Sequence, residues 1–286
     1  MTLSIRPITD IEGCNHFRTL ERAVWAGPDD ELVPFPVLVT ASTNGGMLLG
    51  AYADDGPPET GGLVGAAFWW LGAGTRRGAS DPSVKVCSHM LGVLSEWRGR
   101  NVGLKLKLAQ RQAVLDQGLT DWITWTYDPL YLANGVFNIH RLGATCTTYK
   151  RNIYGEMQDA LNAGVPSDRC QVDWWLNSKH VLHDIKPRSK IATWDIETLM
   201  ILPTRERSNG FPEPEAVELD LSDQPIAVPV PTDIKEIRLR DKELSMIWRL
   251  YIRNVFETAF SSGYAVVDCV HIPGKGWHYI LVREYI

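Results

Sequence analysis

The stretch Leu94-Ser95-Glu96-Trp97-Arg98-Gly99-Arg100-Asn101-Val102-Gly103-Leu104 joins an apolar, strand-like run, Val84 to Leu94, to an amphipathic segment that ends at Gly118. A strand-to-helix turn of this composition suits an anion such as a pyrophosphate. The first N–H groups of a helix have no partner inside it, and the helix dipole adds about half a positive charge at that end. Arg98 and Arg100 supply full charges beside them. Gly99 and Gly103 carry no Cβ and let a phosphate approach the main chain. Asn101 suits either a left-handed backbone angle or an N-cap. Leu104, Leu108 and Leu115 share one helical face, and Lys105, Lys107, Gln110, Arg111 and Gln112 are expected on wet faces.

Upstream, Ile5 to Ile8 reads as a first strand and Asp10 to Trp25 as an amphipathic helix. Gly46 to Ala53 and Gly62 to Leu71 read as a hairpin with a Pro/Gly-rich connection. Downstream, Trp122 to Tyr127 is a run of β-formers, and a short helix ends at Leu142-Gly143-Ala144.

Arg98-x-x-Asn101-x-Gly103 resembles the acyl-CoA pyrophosphate loop of the GNAT superfamily of N-acyltransferases, usually written Gln/Arg-x-x-Gly-x-Gly/Ala, with Asn101 in place of the first glycine. The order β-α-β-β-β-α-β-α-β is also that superfamily's, over roughly residues 1 to 178. Asp128-Pro129-Leu130, Asn134, Phe137-Asn138, Leu142-Gly143-Ala144, Tyr154-Gly155, Asp168-Arg169 and Val172-Asp173-Trp174 resemble bacterial GNAT-like proteins with a long C-terminal extension. Those proteins are associated with N-acylamino acid racemases and o-succinylbenzoate synthases. The resemblance implies an α/β fold with a mixed, mainly antiparallel central sheet flanked by helices; the residues after it read as a smaller C-terminal α/β lobe. It implies acetyl-CoA or succinyl-CoA as co-substrate, and transfer of the acyl group to the amine of an amino acid. Leu91 and Val93 would lie beside pantetheine, and Arg98, Gly99, Arg100, Asn101, Val102, Gly103 and Leu104 would hold the pyrophosphate. Asn134 would make a further contact to the CoA arm. Many members place a tyrosine acid four residues before the glycine matched by Gly143, where this chain has Ile139. His140 points about 100° away around an α-helix, so no standard acid is expected.

Direct attack of an amine on a thioester needs an uncharged amine and a cradle for the oxyanion, with no covalent enzyme intermediate. Two residues are candidate bases. His89 shares strand parity with Leu91 and Val93, so it either faces the acceptor or is a satisfied histidine on the sheet. Asp128 follows the strand ending at Tyr127 and is either a base or the shaper of a turn before Pro129. For an acceptor carboxylate, Arg249 and Arg253 lie one turn apart on a helix; the alternative is that they pair with Glu257, Asp168 or other acids.

A net charge of −5 over 286 residues disfavours a nucleic-acid binder. No apolar run reaches the roughly 18–20 residues of a membrane span, and the N-terminus lacks a signal-peptide core, so the cytoplasm is expected. Five scattered cysteines with no C-x-x-C pair, and an isolated His180-x-x-His183, give no disulfide framework and no metal site. Residues 179–232, rich in proline and acidic side chains from about Asp184, read as an irregular connector between a domain at 1–178 and a lobe at 233–286. That lobe holds a helix from Asp241 to Ser261 and strands from Tyr264 to Ile272 and Trp277 to Glu284. Its small size and aromatic content lead to an expected homodimer. Two other functions stay open: a non-catalytic acyl-CoA-binding or regulatory protein, and acetylation of a protein or antibiotic amine.

Overall fold

The computed structural model describes residues 2–25, 32–155, 164–186 and 194–283. The chain divides into two compact units, Met1–Trp125 and Thr126–Ile286. The first contains β1 (Leu3–Pro7), α1 (Ile11–Trp25), α2 (Phe35–Thr43), β2 (Met47–Ala53), β3 (Leu63–Thr75), β4 (Pro82–Val93), α3 (Val102–Gln117) and β5 (Trp122–Tyr127), whose last two residues open the second unit. The strands lie in the order β1-β2-β3-β4-β5. Neighbours are antiparallel except β4 and β5, which are parallel.

Leu63 to Trp69 is a continuous apolar run, and every residue of it is buried, because helices cover both faces of β3. Phe68 meets Phe17 of α1 with ring centroids 6.5 Å apart. A Cβ on Gly65 would stand 3.1 Å from Val102 and 3.3 Å from Leu106 of α3. Residues three apart on a strand face opposite ways, so α1 and α3 pack on opposite faces. The face that α3 buries differs from the expected one. Val102, Leu106, Gln110 and Val114 are all buried, a row at i, i+4 spacing, and Lys107 is buried beside it. Lys107 and Gln110, expected in water, are 2% and 0% exposed. Helix α2 was not anticipated. It has a proline in its first turn, where the missing N–H costs nothing, and Leu38 anchors it, fully buried.

The second unit contains α4 (Leu132–Gly135), which runs into a π-helical turn over Val136–Arg141, then β6 (Thr145–Lys150), β7 (Arg169–Trp175), α5 (Lys179–Asp184), β8 (Met200–Ile201), β9 (Thr204–Glu206), β10 (Pro212–Pro214), β11 (Ile226–Pro229), α6 (Ile234–Arg240), α7 (Lys242–Ser261), β12 (Tyr264–Ile272) and β13 (Gly276–Arg283). Its strand order is β7-β6-β12-β13-β11-β8, with β9 and β10 paired apart from it. Only β11 and β8 run parallel among the pairings described in this unit. The chain as a whole is thus mixed α/β, with mainly antiparallel strands and flanking helices.

Two expectations about the C-terminal half change. Within 179–232, the described residues include β8 and β11, which extend the sheet, and the β9–β10 pair; residues 187–193 of that stretch lie outside the description. The C-terminal hairpin does not stand apart either, since β12 pairs with β6 through Val266 and Cys146. Its expected final residue, Glu284, is outside the described residues. Five large aromatic side chains of this half are core: Trp174, Trp248, Tyr264, Phe256 and Tyr279 are at most 1% exposed. Their polar atoms are matched, as buried groups require. Trp174 Nε1–H donates to the Leu142 carbonyl at 2.8 Å, Trp248 Nε1–H to that of Pro212 at 2.9 Å, and the Tyr279 hydroxyl to that of Pro129 at 2.8 Å. No helix among the described residues is long and apolar enough to cross a membrane.

Candidate active site

The first unit's sheet is irregular where the site is expected. The pairing of β3 with β4 runs Phe68 with Met90 and then Trp69 with Ser88, so His89 is the extra residue of a β-bulge. The parallel pairing of β4 with β5 is confined to Val86–Ile123 and Cys87–Thr124. Past Cys87 the two strands fork, and the β5-facing main chain of β4 leaves the parallel ladder. That stretch includes His89, Leu91 and Val93.

The bulge turns His89 outward. Its side chain is exposed, yet its ring lies 4.9 Å from the Trp70 ring and edge-on to Phe68 at 6.1 Å. Desolvation by the surrounding protein holds its pKa below the ordinary imidazole value, so at neutral pH it is an uncharged proton acceptor. Gly92 is fixed by packing, because a Cβ there would meet the Trp25 ring at 2.5 Å.

Beyond β4 the chain makes a 3₁₀ turn, Ser95–Trp97, pinned by Trp97, which is buried. Arg98 Nε–H donates back to the Val93 carbonyl at 3.1 Å, closing the base of the loop. Arg100 lies over the Trp97 ring, 4.9 Å from its centroid. Gly99 has φ +76°, and Asn101 stands at φ 60°, ψ 17°, in the left-handed region. Asn101 occupies the N-cap position with no side-chain capping bond. Of its two sequence-level roles, the backbone angle is the one adopted. Lys105 N–H donates to the Asn101 carbonyl at 3.0 Å as the helix's first bond. Helical geometry therefore leaves the N–H groups of Val102, Gly103 and Leu104 without an acceptor inside the helix. With exposed Arg98, Arg100 and Lys105 around them, these groups make a positive helix N-terminus of the kind that suits an anion.

Asp128, Asn134, Arg249 and Arg253 belong to the second unit. Asn134 lies exposed in α4. Asp128 and Arg249 meet, but in a closed arrangement. The Asp128 carboxylate accepts from Arg249 at 2.5 Å, from Arg238 at 3.5 Å and from the Leu130 N–H at 2.9 Å, with Arg169 at 3.8 Å. Burial on its own would raise the Asp128 pKa, but Arg249, the Leu130 N–H and Arg169 bring it below the ordinary carboxylate value. A carboxylate so stabilised is a weak base. Arg249 is 1% exposed, and its Nε and Nη1 are buried without a hydrogen-bond partner. Arg253 makes a bidentate pair with fully buried Asp168, at 2.8 and 3.0 Å. Asp168 also accepts from the Tyr149 hydroxyl and the Asn152 N–H. In both cases the alternative reading, pairing with protein acids, describes the geometry.

Sequence reasoning missed a second polar feature of this unit. His140, in the π-helical turn, has Nδ1 2.8 Å from Asp268 Oδ1; Asp268 is buried and also accepts from Trp194 Nε1–H at 2.7 Å. A register shift in β12 between Val266 and Asp268 accompanies it. The five cysteines are free, and Cys87 alone is half-buried rather than buried. No cluster of metal-ligating side chains occurs among the described residues.

No protein-family model and no curated protein matches this sequence. Solved structures do share its outline. Arabidopsis thaliana NAA60 in complex with acetyl-CoA is 12% identical, covering 61% of this chain and 99% of that one, with a TM-score of 0.47. The NatC complex bound to Gag peptide and CoA is 14% identical over 60% of this chain and 98% of that one, with a TM-score of 0.44. The Escherichia coli ribosomal-protein-S18-alanine N-acetyltransferase is 11% identical over 62% and 96%, also at 0.44. Likeness at this level does not carry function across.

Proposed function

We propose that this chain is an acyl-CoA-dependent N-acyltransferase of GNAT type. The observation that carries the reading is the left-handed Asn101 at the start of α3, beside exposed Arg98, Arg100 and Lys105; in this reading it leaves the first N–H groups of the helix open to an anion. In this reading the pyrophosphate sits on residues 98–104, and the pantetheine arm runs along Leu91 to Val93. The acceptor amine attacks the thioester carbonyl carbon, the C–S bond breaks, and CoA leaves as the thiol once a proton reaches sulfur. His89, uncharged and exposed at the bulge, takes the amine's proton. Asp128 has no part in that step.

The acceptor is proposed to be an amino acid and the donor acetyl-CoA or succinyl-CoA, on the sequence resemblance alone; a cytoplasmic location has the same standing. The homodimer is likewise a proposal; of the aromatic residues that prompted it, Trp248, Phe256, Tyr264 and Tyr279 are buried. A second reading, acyl-CoA binding without turnover, is favoured by the closed state of Asp128. Free-thiol release with each donor against pooled amino acids separates the two. Thiol release that depends on an amino acid supports the enzyme. Tight CoA binding with no release leaves the binding protein. Preference for a peptide or polyamine removes the amino-acid acceptor.

A further inference from the structure

If the parallel ladder of β4 and β5 continued, its next pair after Cys87–Thr124 would be Ser88 with Trp125. Lys107 touches both of these residues. Its Nζ donates to Ser88 Oγ at 3.0 Å and to Gln110 Oε1 at 3.0 Å, and it lies 3.7 Å from the centroid of the Trp125 ring. Gln110 Nε2 donates to the same hydroxyl at 3.2 Å. The bulged residue His89 follows immediately. Burying a lysine here carries a cost: desolvation lowers its pKa to about 7, and an apolar side chain of similar volume often packs as well or better in such a position. A polar amine buried at the point where two strands part, against that cost, calls for a role there.

We propose that Lys107 is a positioning residue, a wedge that holds the β4–β5 fork open and presents the main chain of His89 to Val93 to the acyl donor. Its Nζ engages the Ser88 hydroxyl on one strand and the Trp125 face on the other, so Lys107 bridges the two strands where their ladder ends. The donor's identity rests on the acyl-CoA reading above; the wedge is a property of the free protein.

Lys107→Met keeps the length of the arm and removes the ammonium, and Lys107→Arg keeps a cation. Hydrogen exchange on the free full-length protein is expected to show the Ser88 to Leu91 amides of Lys107→Met protected about tenfold more than in the parent, as the ladder extends. CoA affinity is expected to fall about tenfold, with Lys107→Arg recovering most of both effects. Should Lys107→Met fail to fold, as read by near-ultraviolet circular dichroism, Ser88→Ala removes the β4 anchor and is expected to shift both readouts the same way. Parental exchange at Ser88 to Leu91 in the folded variants overturns the wedge. Altered exchange with parental CoA affinity overturns its positioning role. If the parent itself binds no CoA, the acyl-CoA reading fails, and exchange alone decides the wedge.

Discussion

Asn101 concentrates the site in one backbone angle. A non-glycine residue at φ 60° is strained unless it is Asn or Asp, and a β-branched residue is strained most. Asn101→Gly is therefore expected to keep CoA affinity within about twofold and stability within about 0.5 kcal/mol. Asn101→Val is expected to cost about 1–2 kcal/mol in urea unfolding and to weaken CoA in titration. This residue was legible in the sequence because its backbone angle is local. Lys107 was not, although Val102, Leu106 and Val114 left Gln110 as the missing member of an i, i+4 row and so marked the buried side. Asp128 was legible only as a choice between roles, because its arginines come from 41 to 121 residues away in sequence. Asp128→Asn strips the carboxylate charge from three guanidinium groups and is expected to destabilise by about 3–5 kcal/mol in urea unfolding. The Asp128 pKa is lowered in the folded state. Its contribution is thus present above the unfolded value of about 3.9 and is lost as pH falls through the folded value.

Among elements, the β4–loop–α3 unit could be read because a strand, a glycine-bearing turn and a helix are consecutive in the chain. The bulge at His89 could not, since it is a mismatch in register with β3 and no residue of β4 announces it. The same holds for the π-helical turn, whose His140 is oriented by Asp268, 128 residues distant. The hydrogen bond to Asp268 is the main cause of the raised His140 pKa, and burial partly offsets it. A group with a raised folded pKa stabilises fully below its unfolded value, about 6.5, and that stability is lost as pH rises through the folded value. The difference in unfolding free energy between the parent and His140→Gln is expected to shrink as pH rises from 5.5 to 8.5, since the other groups that titrate in that window are common to both. Identical slopes would count against the pair.

For the whole molecule, the C-terminal strands are structural members of the second unit. Truncation at Leu221 removes β11, β12, β13, α6 and α7, and with them the Arg238 and Arg249 partners of Asp128. The truncated chain is expected to lose the near-ultraviolet signal of the second unit's aromatic core; full retention would show that the hairpin is dispensable. The sequence suggests a domain at 1–178, a connector at 179–232 and a lobe at 233–286, whereas the compact units divide between Trp125 and Thr126. The connector's short strands are only 2 to 4 residues long, and β11 is held in place by β13 rather than by its own sequence. The central claim remains the acyl-CoA cradle at residues 98–104. Its most direct test is calorimetric titration of CoA into the parent and into Gly103→Glu. A glutamate in the first turn favours the helix, so lost binding would not reflect an unfolded α3. The parent is expected to bind CoA 1:1 and the variant not at all. No binding by the parent, or undiminished binding by Gly103→Glu, would contradict it.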